Sequence, residues 1–234
     1  MPLTLATTAP GNPEIFASIQ GEGPSAGEPC TFIRLSRCNL ACVWCDTAYT
    51  WDFGKHDRKA NQITLTEADA AARIAAFGGN RLVITGGEPL LQAPALARMI
   101  AHLPGHHIEV ETNGTVAAPP KLDALIHQYN VSPKLAHSGN PAALALIPQR
   151  FTAYAADPRA FFKFVIASPE DVDEVLALQQ LYAIPSARIY LMPEGTDSET
   201  LNTRARWLRP ICSGHEFYFS DRLHIHLYGD RRGT

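Results

Sequence analysis

A chain of 234 residues, 46% hydrophobic and 18% charged, is long enough for one ordinary domain or one α/β barrel-type domain with a real core. Its formal net charge is −3, and it has no Lys/Arg-rich run beyond the pair Arg231-Arg232, so nothing marks a surface for nucleic acid or an anionic membrane. No apolar run has the length of a membrane span, and the opening MPLTLATTAPGNPEIF lacks the basic and apolar blocks of a signal peptide. A cytoplasmic protein is expected, and in that compartment cysteines serve as metal ligands or catalytic groups more often than as disulfides.

The predicted elements alternate along the chain. The strand-like TFIRLS (31–36) leads to a helix near 66–77, then RLVITG (81–86), a helix near 94–102, HIEVET (107–112), a helix near 119–127 and QYNVS (128–132). A helix near 141–147, FFKFVIA (161–167), a helix near 169–182, RIYLMP (188–193) and a helix near 198–208 follow. The end, EFYFSDRLHIHLYGDRRGT, reads as an extra C-terminal strand. Thr66 with Asp69, Ser168 with Asp171, and Asp197 supply helix-opening caps. Strand and helix repeated in this way predict an α/β fold with a parallel sheet and right-handed crossovers. A doubly wound open sheet and a full or partial (β/α) barrel both satisfy the pattern. Both gather functional residues at the C-terminal ends of the strands. Those ends carry 38–47, Gly86-Gly87-Glu88-Pro89, Glu111-Thr112-Asn113-Gly114, Ser132-Pro133-Lys134, Lys163 with Ala167-Ser168, and Pro193-Glu194-Gly195.

Cys38, Cys42 and Cys45 form C-x3-C-x2-C just after the first predicted strand. A closed zinc site needs a fourth ligand, which His56 could supply. A [4Fe–4S] cube held by three thiolates instead keeps one iron open to a substrate or cofactor. Inert buried thiols are the third reading. Cys30 and Cys212 have no such neighbours in the sequence and are expected to take no part.

The triad and VITGGEP (83–89), which follows the second strand, together resemble the radical S-adenosylmethionine (SAM) superfamily. The glycines of that turn would let backbone carbonyls approach the methionyl ammonium. Within the superfamily, FASIQGEGPSAGEPCTFIRLSRCNLACVWCDTAYTW (16–51) resembles the 7-carboxy-7-deazaguanine synthase family. The resemblance rests on Ile19-Gln20-Gly21-Glu22-Gly23, on Arg34 four residues before the first cysteine, and on Cys45-Asp46-Thr47 followed by Tyr49-Thr50-Trp51-Asp52. VSPK (131–134) also matches, and the likeness loosens after Ile147.

The resemblance implies a [4Fe–4S] cluster on Cys38, Cys42 and Cys45 with SAM chelated at the open iron and re-formed each turnover. It implies a lyase-type ring contraction of 6-carboxy-5,6,7,8-tetrahydropterin to 7-carboxy-7-deazaguanine with loss of ammonia, a step toward queuosine and related 7-deazapurines. Trp44, Asp46, Gly87, Ser132, Pro133 and Lys134 occupy the family's SAM-contacting positions, and Thr47 its Mg2+ position. Ile19, Gln20, Gly21 and Thr85 would line the pterin, Gln20 by donating and accepting along the ring edge. Strand alternation puts Arg34 on one face with Phe32 and Ser36, where its planar guanidinium suits the substrate carboxylate; a structural ion pair with Glu22 is the competing reading. Lys163 reads equally as a functional group or as a lysine snorkelling from a strand, and His102, His106, His107 and His127 carry no assigned role.

Six strands are fewer than a closed barrel needs, so the expected architecture is a partial, open barrel of about (βα)6, one radical SAM core domain over 1–234. The family is homodimeric, which would cover the open side, and it takes electrons from a reductase, a flavodoxin or a ferredoxin. In RLHIHLYGDRRGT, alternation groups Leu223, Ile225 and Leu227 on one face and His224, His226 and Tyr228 on the other. His226 and the α-carboxylate of Thr234 would then close over the pterin, against the alternative of a solvated tail after Gly229. Two other functions compete: an activase that installs a glycyl radical on a partner protein, and a zinc-stabilised binding module.

Overall fold

The computed structural model describes residues 2–234. A mixed α/β architecture is built on one eleven-stranded sheet. Its N-terminal part contains β1 (Leu3–Ala9), β2 (Asn12–Pro13), β3 (Ile15–Ile19) and β4 (Pro29–Leu35). After the cysteine loop come the single-turn helix α1 (Arg58–Asn61) and β5 (Gln62–Leu65). These strands pair antiparallel: β3 with β4, Ile15 opposite Ile33, and β1 with β2, β4 and β5. None of β1, β2, β3 or β5 is among the six predicted strands.

The rest is strand and helix in turn. α2 (Glu67–Ala75), β6 (Arg81–Gly86), α3 (Ala93–Ile100), β7 (His107–Thr112), α4 (Pro120–Asp123) and β8 (Gln128–Val131) lead to α5 (Ala142–Ala145) and α6 (Pro148–Ala156). Then come β9 (Ala160–Ile166), α7 (Pro169–Tyr182), β10 (Ile189–Pro193), α8 (Ser198–Gly214), β11 (Tyr218–Phe219) and α9 (Leu223–Tyr228). From β4 onward every neighbouring pair is parallel: β4–β6–β7–β8–β9–β10–β11. Spatial order equals chain order, so the sheet has no point where the winding reverses. That removes the doubly wound alternative, whose ligand site depends on such a reversal.

Period-two alternation divides each strand between two environments. Leu82, Ile84, Val110, Phe162, Phe164 and Leu191 pack with Ile74, Leu96, Met99, Val175 and Leu208 from the helices in one core. The alternate positions carry Arg34, Thr85, Glu109, Glu111, Asn130 and Lys163 beside a small apolar cluster of Phe16, Cys30, Phe32 and Val83, so the other face is mixed and largely buried. Thr66 and Asp197 cap α2 and α8 as expected, accepting from Asp69 N at 3.1 Å and Thr200 N at 2.8 Å.

Four expected elements need correction, the first being the helix near 119–127, which is only the single turn α4 (Pro120–Asp123). The helix near 141–147 is a single turn, and α6, opened by Pro148, was missed; it buries Phe151 and Tyr154. α8 runs through Pro210 to Gly214 rather than stopping near 208. The C-terminal strand exists only as Tyr218–Phe219, because Leu223–Tyr228 is helix. Six residues of alternating pattern fit either state. In the helix, residues two apart diverge by about 200°, so Ile225 is buried while Leu227 is 59% exposed.

Candidate active site

A cleft open to solvent lies at the C-terminal ends of the parallel strands. The cysteine loop enters it directly from β4. The loop and the glycine turn after β6 meet backbone to backbone: Gly87 N donates to Leu35 O at 3.1 Å, and Glu88 N to Arg37 O at 2.9 Å. A Cβ on Gly86 would sit 2.3 Å from Leu35 O, and one on Gly87 2.1 Å from Arg37 O. Close approach of the two segments therefore requires both glycines, a reason separate from any ligand. Arg37 itself takes a positive φ of 81° at the turn into the cysteines.

Cys38, Cys42 and Cys45 all line the cleft, and all five cysteines are free thiols. Burial pushes the Cys38 thiol up to about 11 and raises that of Cys42. Binding as thiolates thus needs a cationic metal group to offset desolvation. Every sulfur has an N–H donor: Leu40 N to Cys38 at 3.5 Å, Asn140 Nδ2 to Cys42 at 3.2 Å, and Trp51 Nε1 to Cys45 at 3.3 Å. Among the described residues, no three His, Cys, Asp or Glu side chains are gathered as ligands of a single metal ion. His56 is not part of the cleft lining, so the zinc reading loses its fourth ligand. Thiols spread around a shared space, each with a donor, suit a larger polynuclear group.

The SAM-side candidates cluster here. Trp44, Asp46, Gly87, Ser132 and Lys134 line the cleft, whereas Pro133 is buried outside its lining. The Trp44 indole N–H is buried without a protein partner, which leaves a donor for a bound molecule. Lys134 Nζ donates to Ser132 O at 2.8 Å and Oγ at 2.9 Å, and it lies 5.6 Å from the Trp44 ring centroid. Glu88, fully buried, accepts from Leu90 N, Asn113 N and Thr112 Oγ1 at 2.8–3.0 Å. Burial outweighs those donors and pushes its carboxyl up to about 7.

Across the cleft the substrate-side candidates are Ile19, Gln20, Gly21, Arg34, Thr47, Thr85 and Thr234, all in the lining. Arg34 does not pair with Glu22. Its Nε donates to Glu14 Oε1 at 2.8 Å, and the Tyr49 hydroxyl holds the second carboxylate oxygen at 2.9 Å. The Gln20 amide is committed to protein: Nε2 donates to Glu109 at 2.9 Å and Glu111 at 3.2 Å, and Oε1 accepts from Glu22 N at 3.2 Å. Thr47 Oγ1 lies 3.6 Å from Cys45 Sγ.

The sequence reading missed an ion cluster. Glu22 pairs with Lys163 and, at 3.0 Å, with Arg222, which also bonds Asp46 and Gly195 O. Burial alone would raise the Glu22 carboxyl, but Lys163 and Arg222 outweigh it and hold the pKa far below the usual range. Lys163 is thus neither snorkelling nor free. Leu223 N donates to Gly21 O at 3.0 Å and Gly23 N to Ser220 Oγ at 2.8 Å, so the C-terminal segment joins the loop after β3.

Helix α9 separates the two histidines that strand alternation grouped. His224 lines the cleft and covers Gly21, where a Cβ would lie 2.2 Å from its Nδ1. His226 is outside the lining, its ring within hydrogen-bond distance of Ser198 Oγ at 3.1 Å and Asp221 Oδ1 at 3.0 Å. The tail after Gly229 is solvated in part: Asp230, Arg231 and Arg232 are exposed, yet Arg232 stacks 3.4 Å from the Tyr49 ring centroid and donates to Asn61 Oδ1 at 2.8 Å.

Among the described residues, no helix is long and apolar enough to cross a membrane. The family model of the radical SAM superfamily matches residues 32–206. A 7-carboxy-7-deazaguanine synthase of Pyrobaculum aerophilum is 37% identical over 222 residues, covering 94% of this chain and 95% of the relative. One of Hyperthermus butylicus is 37% identical over 220 residues, covering 91% and 90%. The crystal structure of QueE from Escherichia coli superposes with a TM-score of 0.66 at 24% identity, covering 94% of this chain and 95% of that one, a likeness of fold.

Proposed function

Because the chain belongs to the radical SAM superfamily and, within it, to the 7-carboxy-7-deazaguanine synthase family, we propose that its cleft contracts the ring of 6-carboxy-5,6,7,8-tetrahydropterin. The product is 7-carboxy-7-deazaguanine, with loss of ammonia: a carbon–nitrogen lyase reaction toward queuosine and related 7-deazapurines. One observation carries the reading. Three cysteine sulfurs with N–H donors share a single cleft with Arg34 and Thr47.

Membership implies a [4Fe–4S] cluster and SAM. The donor set fits both, with three thiols around a common space and the unpartnered Trp44 N–H beside them. Cys38, Cys42 and Cys45 hold the cluster in this reading. Bound there, the cluster and SAM would together supply one-electron chemistry for hydrogen removal from the pterin. Trp44, Gly87, Ser132 and Lys134 orient SAM; Asp46, already tied to Arg222, fixes the loop between cluster and substrate. Pro133 shapes that wall from behind. Glu88 anchors the glycine turn to the end of β7 through Thr112 and Asn113.

Arg34 offers its remaining guanidinium edge to the substrate carboxylate while Glu14 fixes its orientation. The Thr47 hydroxyl is a hard oxygen donor suited to Mg2+ between protein and that carboxylate. Ile19, Gly21 and Thr85 flank the pterin. Gln20 acts by holding Glu109 and Glu111 rather than by reading the ring, and His224 replaces His226 at the mouth. Thr234 closes the same end.

Sequential strand order supports a partial, open (βα)6 barrel in one domain over 1–234. A homodimer, an electron donor of reductase, flavodoxin or ferredoxin type, and a cytoplasmic setting complete the proposal. The test is anaerobic reconstitution with iron and sulfide, an absorbance scan, and turnover with SAM, reductant, Mg2+ and the pterin. Formation of 7-carboxy-7-deazaguanine by mass is expected. A brown protein that cleaves SAM equally with and without the pterin would sink the substrate assignment.

A further inference from the structure

Two side chains that the reaction as described does not use are aimed at cysteine sulfurs. Asn140 reaches Cys42 Sγ across 98 residues of chain. Its amide orientation is fixed by the other end: Oδ1 accepts from Ala41 N at 2.9 Å, so Nδ2 must face the sulfur. Nδ2 also reaches Ser138 Oγ at 3.1 Å, and Val43 N donates to Ser138 O at 3.0 Å. The loop after β8 thus grips the cysteine loop on both sides of Cys42. Trp51 donates its indole N–H to Cys45 Sγ at 3.3 Å, the one acceptor it has among the described residues. Cys38 has a shorter-range donor in Leu40 N, and Asn113 Nδ2 stands 3.9 Å away.

An N–H donated to a thiolate withdraws electron density from it. That stabilises a reduced, more negative iron–sulfur cluster over the oxidised one and raises its reduction potential. Buried sulfurs feel such donors strongly, because little water competes. We propose that Asn140 and Trp51 are positioning residues that set the reduction potential of the iron–sulfur cluster through N–H···S hydrogen bonds to Cys42 and Cys45. The proposal rests on the assignment of the three cysteines as cluster ligands. It assigns the tuning to two residues from outside the C-x3-C-x2-C run, one of them from the far half of the chain.

The experiment uses reconstituted protein. Trp51→Phe removes the N–H donor together with the fused ring of the indole and keeps one aromatic ring in place. Asn140→Asp keeps the acceptor for Ala41 and removes both N–H donors. Iron per chain, the midpoint from a dye-mediated titration followed by electron paramagnetic resonance, and the Fe–S stretching frequencies from resonance Raman are measured together. The expected result is wild-type iron content, a midpoint shifted to more negative potential in each variant, and raised stretching frequencies. Full iron with a wild-type midpoint in Trp51→Phe overturns the proposal. If Asn140→Asp fails to hold iron, Trp51→Phe decides alone, since it introduces no charge. Wild-type protein without iron would instead sink the ligand assignment, and the inference with it.

Discussion

On the cysteine side of the cleft, loops are held by neutral hydrogen bonds and backbone contact, and one buried donor, Trp44 Nε1, is left without a protein partner. Beside it, Glu22, Lys163, Arg222 and Asp46 form an ion cluster whose charges satisfy one another. The two are prepared for different states of the molecule. The ionic part is complete in the protein alone, so its energetics belong to folding. The cysteine part has polar groups in reserve, so its energetics belong to loading. Damage to the first should appear as lost stability, and damage to the second as lost cofactor.

The largest effect expected from breaking this division is on loading. Cys38→Ala, Cys42→Ala or Cys45→Ala should each abolish bound iron and SAM cleavage, while Cys30→Ala and Cys212→Ala retain both; iron analysis and a SAM-cleavage assay check this. Unfolding of the unloaded protein should change little in the three cleft variants, because each loses only a small thiol. Next in size is Arg222→Ala. Its side chain is 9% exposed, and removal leaves Glu22 and Asp46 short of a partner, at a cost of about 3–5 kcal/mol in denaturant unfolding. Iron content per folded chain should stay near wild type.

Arg34→Lys sharpens the comparison within the substrate side. Losing the planar fork should weaken pterin binding by about 1–3 kcal/mol with SAM affinity unchanged. Equal loss of both affinities would mean that the Glu14 pair is structural only.

The effect confined to the narrowest range of conditions is in pH. The Glu22 carboxyl is held below its ordinary 4.5, so its contribution is full above that value and is lost as pH falls through the folded pKa. Glu88 behaves oppositely. Raised from 4.5 to about 7, it keeps its proton in the folded state while the unfolded chain has released it. Stability therefore falls as pH rises from about 4.5 to about 7 and is flat in this respect above. Glu88→Gln should remove that decline in unfolding free energy across the window, and an unchanged slope would contradict the shift.

Legibility followed the range of the forces. The parallel strands from β6 to β10 were readable because short β-branched or apolar runs alternate with amphipathic segments, and the glycine turn because it resembles the family's SAM-binding turn after the second predicted strand; its close packing on the cysteine loop was not. The cysteine spacing was readable because it is local. Arg34 was found, but not Glu14, since a bend between two short antiparallel strands carries no marker of its own. Lys163 and Arg222 were unreadable as partners of Glu22: 141 and 200 residues separate them, and a charged residue on a strand or before a short helix looks like surface. Helix α9 was misread because one buried residue, Ile225, is too few to fix a period.

The bond between Glu22 and Arg222 has a consequence in time. At synthesis rates of about 5–20 residues per second, the 200 residues between them take roughly 10–40 s to appear. Through that interval Glu22 is already made, while one of the cations that neutralises it is not. Lys163 arrives earlier and can supply one charge. Until Arg222 follows, Glu22 and Asp46 lack the guanidinium that joins them, so this corner of the cleft can close only once the C-terminal segment has been made.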